Sequence, residues 1–125
     1  MIKVTVYIPT FNYAKYIDTA VQSVLKQTMS DWELIIIDDG STDNTQEILS
    51  KYRNDTKIRV IEQENKGLNV ANNIALRLAN GRYIMRLDAD DYLDENALLI
   101  LSNILDTKLN VGLVYPDYYE ISPEG

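Results

Sequence analysis

Cysteine and histidine are both missing from this chain of 125 residues. Without cysteine there is no disulfide framework and no thiolate metal site. Without histidine the usual general base, the Ser–His nucleophile pair and the commonest zinc ligand are excluded. Acid–base chemistry therefore falls to Asp, Glu, Lys or Tyr. Positive charge is also scarce: 12 Lys and Arg stand against 19 Asp and Glu, a formal net charge of −7. That balance opposes broad affinity for nucleic acid or anionic lipid, so no nucleic-acid partner is expected. An anionic small substrate would need a metal ion or local backbone N–H groups to offset repulsion. No apolar run approaches the length of about 20 residues that spans a bilayer, so no transmembrane segment is expected. A strand begins within a few residues of Met1, which leaves no room for a signal peptide. The cytoplasm, up to the inner face of the membrane, is the expected location.

What is present is an ordinary globular composition, with 46% hydrophobic residues, and a length that suits one domain over residues 1–125. Val4 to Ile8 reads as a β-branched strand stopped by Pro9. Ile17, Ala20, Val21, Val24 and Leu25 recur at helical spacing. Glu33 to Ile37 is almost wholly apolar, as a strand covered on both faces should be. Asp43 to Tyr52 reads as a helix with Ser41, Thr42 or Asp43 as its cap, and Ile58 to Ile61 as a third strand. Ala71, Ile74, Ala75 and Leu78 mark another helical face, with Gly81 as its stop. Tyr83 to Leu87 is a fourth strand. Asp94 can cap a helix that turns Ala97, Leu98, Leu101, Ile104 and Leu105 inward, and Val111 to Tyr115 reads as a fifth strand. The alternation predicts an α/β fold: a Rossmann-like, mostly parallel sheet with right-handed crossovers and helices on both faces.

Ligands of such sheets bind outside the carboxyl ends of the strands. The polar segments there are Thr10-Phe11-Asn12, Asp38-Asp39-Gly40-Ser41, Glu64-Asn65-Lys66-Gly67 and Asp88-Ala89-Asp90-Asp91. The last is the most informative. Crowded carboxylates repel one another unless a cation neutralises them. Oxygen-only ligands suit a hard divalent ion, Mg²⁺ or Mn²⁺, that shares its shell with substrate phosphates. A solvated acidic loop would look the same by spacing alone. An EF-hand would not, because Leu93 stands where that loop needs glycine. In the second segment Gly40 permits a tight turn and Ser41 and Thr42 suit a cap. Neither role explains two adjacent acids at the end of a buried strand.

Taken in order, these segments resemble the inverting family 2 glycosyltransferases of GT-A fold. The matching words are Val6-Tyr7-Ile8-Pro9-Thr10-Phe11-Asn12, Gln27-Thr28, Trp32-Glu33-Leu34-Ile35, Ile36-Ile37-Asp38-Asp39-Gly40-Ser41-Thr42-Asp43, Asn65-Lys66-Gly67, Ala79-Asn80-Gly81-Arg82-Tyr83-Ile84 and Asp88-Ala89-Asp90-Asp91. The resemblance covers essentially the whole chain and implies a nucleotide-diphosphosugar donor, a UDP-sugar above all, with a glycan or lipid-linked acceptor. It implies that Pro9 and Thr10 line the nucleotide pocket and that Asp39 accepts a hydrogen bond from the base. Asp88 would hold ribose or sugar hydroxyls. Asp90, with Asp88, would bind the Mg²⁺ or Mn²⁺ that bridges the diphosphate. Asn12 and Asn73 complete the donor set.

Two departures from the family pattern stand out. Asn72, followed by Asn73, occupies the place where an arginine is common, which leaves a cationic contact absent or supplied by Lys66 or Arg77. The chain is also short for the family, so it is expected to be a truncated, donor-binding portion. Asp117 and Glu120 come too early to be assigned as the catalytic base, and a surface left open by a missing half would favour self-association. Two other functions use similar features: a non-catalytic nucleotide-sugar-binding fragment and a nucleotidyltransferase. The latter wants a Gly-rich basic loop after the first strand, and Pro9 to Lys15 contains no glycine. A phosphoacceptor receiver domain would carry its paired acids after the first strand, whereas Asp38 and Asp39 follow the second.

Overall fold

The computed structural model describes residues 1–107. The expected fifth strand at 111–115, together with Asp117 and Glu120, lies outside them. Along the described chain run β1 (Val4–Thr10), α1 (Ala14–Leu25), β2 (Trp32–Asp38), α2 (Thr45–Leu49) continued by a 3₁₀ turn (Ser50–Tyr52), β3 (Ile58–Glu62), α3 (Leu68–Leu78), β4 (Tyr83–Arg86) and α4 (Ala97–Thr107). The four strands form one parallel sheet in the order β3-β2-β1-β4. The two central strands are the most apolar, and every residue of β2 is buried, because both faces of a parallel sheet are covered.

Strand alternation divides the core in two. Val4, Val6, Ile8, Leu34 and Ile36 face α1, α2 and α4, meeting Ile17, Val21, Val24, Leu49, Leu98 and Leu101. Tyr7, Ile35 and Ile37 face the other way and meet Ala71 and Ala75 of α3. The alanines let α3 approach the sheet closely. On that same face, toward the amino ends of the strands, Glu33 is buried in a polar network. It accepts hydrogen bonds from Thr5 Oγ1 (2.6 Å) and from the Asn80 N–H (2.6 Å). Arg59 Nη2 lies 3.4 Å away and also donates to the Leu78 carbonyl (2.7 Å).

Several local expectations are corrected. Pro9 does not stop β1, which continues to Thr10. The Tyr7 carbonyl accepts the Leu87 N–H, whereas the Thr10 carbonyl accepts the Asp39 N–H. Odd-numbered residues of β1 therefore turn their backbone groups toward β4, whose pairing ends at the Tyr7–Arg86 register. The missing N–H of Pro9 falls beyond that end, where no ladder bond is lost. Gly81 is not the stop of α3, which ends at Leu78 with Ala79 already extended. Its reason is proximity: a Cβ there would lie 2.5 Å from Thr5 N. The helix of residues 43–52 is shorter than expected, and its α-helical part starts at Thr45. Asp43 still serves its start by accepting the Thr45 N–H (3.1 Å) and hydroxyl (2.5 Å). Ile104 does not face inward; it is exposed on α4.

Candidate functional site

Parallel strands deliver their carboxyl ends to one edge, and the loops after β1, β2 and β4 meet there. With the first turn of α3 they enclose a cleft of ≈ 360 Å³ lined by Pro9, Thr10, Phe11, Tyr13, Asp39, Leu68, Ala71, Asp88, Ala89 and Asp90. Of the residues singled out from sequence, Pro9, Thr10, Asp39, Asp88 and Asp90 are thus brought together. Asn12 and Asn73 are not among the lining residues. Asn12, at φ +57°, ties two loops together: its Oδ1 accepts the Thr42 N–H (2.7 Å), and its own N–H donates to Ser41 Oγ (2.9 Å). Asn73 sits on α3 two residues beyond Ala71, about 200° around the helix, and is exposed.

Alternation also separates the adjacent acids at the end of β2. Asp38 turns toward α2 and accepts hydrogen bonds from the Ser41 N–H (3.0 Å), from Ser41 Oγ (2.5 Å) and from Gln46 Nε2. These close the turn at Gly40, whose φ of +79° and approach to Asn65 require glycine. Asp39 turns to the cleft. Its Oδ1 accepts the Lys66 N–H (2.5 Å) and Gln63 Nε2 (2.8 Å), and its Oδ2 accepts the Gly67 N–H (3.0 Å). Asp39 therefore fixes the loop that leads into α3. Among the described residues its Oδ2 accepts only the Gly67 N–H, which leaves one lone pair for a ligand.

Asp88, Asp90 and Asp91 bring one carboxylate oxygen each to within 4.8 Å of the others. A turn closed by the Asp91 N–H to the Asp88 carbonyl (3.0 Å) gathers them. Arg86, the last residue of β4, places Nε 3.2 Å from Asp88 Oδ1. That Nε is buried with no hydrogen bond among the described residues, so its contact with Asp88 is an ion pair only. Burial pushes the nearby Tyr7 phenol above its ordinary pKa; the charge of Arg86 opposes this and that of Asp88 adds to it. Thr10 Oγ1 is buried with no hydrogen-bond partner among the described residues. An orphaned hydroxyl of a cleft-lining residue beside clustered hard oxygen ligands fits a divalent ion and a polar ligand held together.

Sequence reasoning missed Tyr13, Leu68, Ala71 and the Arg86–Asp88 pair. Tyr13 carried one usable signal, an aromatic in a polar loop just past a strand end. Leu68 and Ala71 carried none, since their periodicity reads equally as core. Arg86 was hidden inside an apolar run. Of the two cations named from sequence, Lys66 meets Asp39 through its backbone N–H and Arg77 lies in the last turn of α3; neither is among the residues that line the cleft.

A parallel α/β sheet with an acid-rimmed cleft at its carboxyl edge defines a Rossmann-like class of fold. Residues 5–124 match the family described as Glycosyl transferase family 2, and the chain belongs to that family. It is 43% identical over 123 residues to the chondroitin synthase of Escherichia coli, and 42% identical over 124 residues to the hyaluronan synthase of Pasteurella multocida. Each match covers 98% of this chain but only 18% and 13% of those relatives. Among solved structures, S. aureus TarS 1-349 in complex with UDP-GlcNAc superposes with a TM-score of 0.77 at 33% identity, over 85% of this chain and 32% of that one. The mannosyltransferase PcManGT from Pyrobaculum calidifontis, in complex with GDP-Man and Mn²⁺, gives a TM-score of 0.71 at 28% identity, over 77% of this chain and 30% of that one. The fold is the Rossmann-like GT-A type, of which this chain forms a part.

Proposed function

We propose that this chain is the donor-binding part of a glycosyltransferase and holds a nucleotide-diphosphosugar, a UDP-sugar above all, with Mg²⁺ or Mn²⁺. One observation carries the proposal: Thr10, Asp39, Asp88 and Asp90 come from the carboxyl ends of three different strands and line a single cleft. Pro9, Phe11 and Tyr13 offer apolar and aromatic surface to the nucleoside, and Thr10 Oγ1 gains the hydrogen bond it lacks. Asp39 Oδ2 accepts an N–H of the base. Asp88 and Asp90 hold the divalent ion, and Asp88 also reaches ribose or sugar hydroxyls. When bound, the ion neutralises charge that builds on the departing nucleoside diphosphate. The first turn of α3 adds backbone N–H groups suited to an anion. The sugar passes with inversion to a hydroxyl of a glycan or lipid-linked acceptor. No described residue is given the role of catalytic base.

Support comes from neighbours that are themselves complexes with UDP-GlcNAc and with GDP-Man and Mn²⁺. Amide resonance mapping tests the proposal. UDP with Mg²⁺ is expected to shift resonances of residues 10–13, 39, 66–71 and 88–91 selectively. A response centred on the groove of α1 and residues 92–95 would refute it.

A further inference from the structure

Resting on the donor-site reading above, we propose that Arg86 is an internal counter-cation for Asp88 that makes divalent-ion binding conditional on the nucleotide diphosphate. Asp39, Asp88 and Asp90 line the cleft, and Asp91 joins the acid cluster. Left to themselves, these acids would draw a divalent ion whether or not a donor was present. Arg86 prevents this. It is fixed on β4 opposite Tyr7, on the face of the sheet that α3 covers. Its Nε lies 3.2 Å from Asp88 Oδ1, in a pair whose side chains are 32% and 44% exposed. Neither partner is deep enough to be locked by burial.

The form of the contact matters as much as its place. Carboxylate–guanidinium pairs that serve as fixed struts are bidentate and aligned. Here Nε is buried with no hydrogen bond among the described residues. The hold on Asp88 is Coulombic, and the Nε donor is left for another acceptor. In the free protein Arg86 cancels part of the charge on Asp88 and weakens the cluster as a metal site. When a diphosphate arrives, the guanidinium turns its charge to the anion, and Asp88 is released to the ion that accompanies it. Metal and nucleotide then bind as a coupled pair, each raising the affinity for the other by the same factor. Arg86 acts here through Asp88 and is a positioning residue.

Titration calorimetry on the whole chain tests this with MnCl₂ alone, with UDP in chelator and with UDP in saturating Mn²⁺. Arg86→Met is expected to bind Mn²⁺ alone about tenfold more tightly than the parent, the effect of one unit charge on a neighbouring divalent ion in a largely aqueous dielectric. The same variant is expected to bind UDP with Mn²⁺ more weakly, so the two affinities move in opposite directions. A variant that was merely misfolded would lose both. Arg86→Lys restores both toward the parent values, and Arg86→Gln serves in place of Arg86→Met should the latter not fold. Unchanged or weaker binding of Mn²⁺ alone in Arg86→Met overturns the counter-cation role. If the parent binds no UDP with Mn²⁺, yet Arg86→Met still tightens Mn²⁺ alone, the donor-site reading falls while the charge compensation of Asp88 stands. If the parent binds UDP with Mn²⁺ and the variant matches it in every titration, the reverse holds.

Discussion

Asp38 and Asp39 are adjacent, both buried and both acceptors of several hydrogen bonds, yet only Asp39 lines the cleft. Replacing each with asparagine separates stability from ligand binding. Asp39→Asn keeps the shape but removes the charge, and its amide can satisfy only some of the Lys66 N–H, Gly67 N–H and Gln63 Nε2 donors. Hydrogen bonds to a charged group contribute about 1.5–3 kcal/mol and neutral ones about 0.5–1.5. The loop at 63–67 is partly open to water, which recovers some of the loss, so a destabilisation of about 2 kcal/mol is expected. Asp38→Asn weakens the bonds from Ser41 and Gln46 and should cost a similar amount. Urea unfolding followed by circular dichroism measures both. UDP titration in Mn²⁺ should then divide them: Asp39→Asn loses at least tenfold in affinity, and Asp38→Asn stays within threefold of the parent, each being about 1.4 kcal/mol per factor of ten. Equal loss of UDP affinity in the two variants would refute the division of labour between the faces of β2.

Thr10→Val removes a buried hydroxyl that has no partner among the described residues. It should leave the urea midpoint unchanged or raise it, while UDP affinity falls by about threefold to tenfold, the scale of one hydrogen bond. Glu33 links stability to pH. Burial alone would raise its pKa, but hydrogen bonds from Thr5 and Asn80 and the charge of Arg59 outweigh it and hold the carboxyl below its ordinary value. A folded value below the unfolded one, about 4.3 for glutamate, gives stability that is present above that pH and lost as pH falls through the folded value. Unfolding free energy should therefore fall more steeply with acid below about pH 4.3 in the parent than in Glu33→Gln, measured by urea titrations between about pH 3 and 7.

Much of this was legible because it depends on local pattern. The apolar run of Glu33 to Ile37 located β2 within one residue at each end, and the helical spacing of Ile17 to Leu25 located α1, which starts three residues earlier at Ala14. The strand–helix alternation implied a parallel sheet, and that alone predicted that the acids after β2 and β4 would share an edge. What escaped depends on spatial neighbours that spacing does not encode. Pro9 continues β1 because β4 ends early, and Gly81 is glycine because Thr5 presses against it. Asn12 points across to the Thr42 backbone and not into the cleft. Arg86 reads as an interruption of an apolar strand until Asp88 is seen beside it.

Titration of UDP into the parent, Asp90→Ala and Asp91→Ala, each with Mn²⁺ and each with chelator, probes most directly whether clustered aspartates grip a nucleotide through a shared cation. Asp90→Ala should lose the Mn²⁺-dependent part of the affinity entirely, and Asp91→Ala should lose less. Equal UDP affinity in the parent and Asp90→Ala, unaffected by chelator, would contradict it.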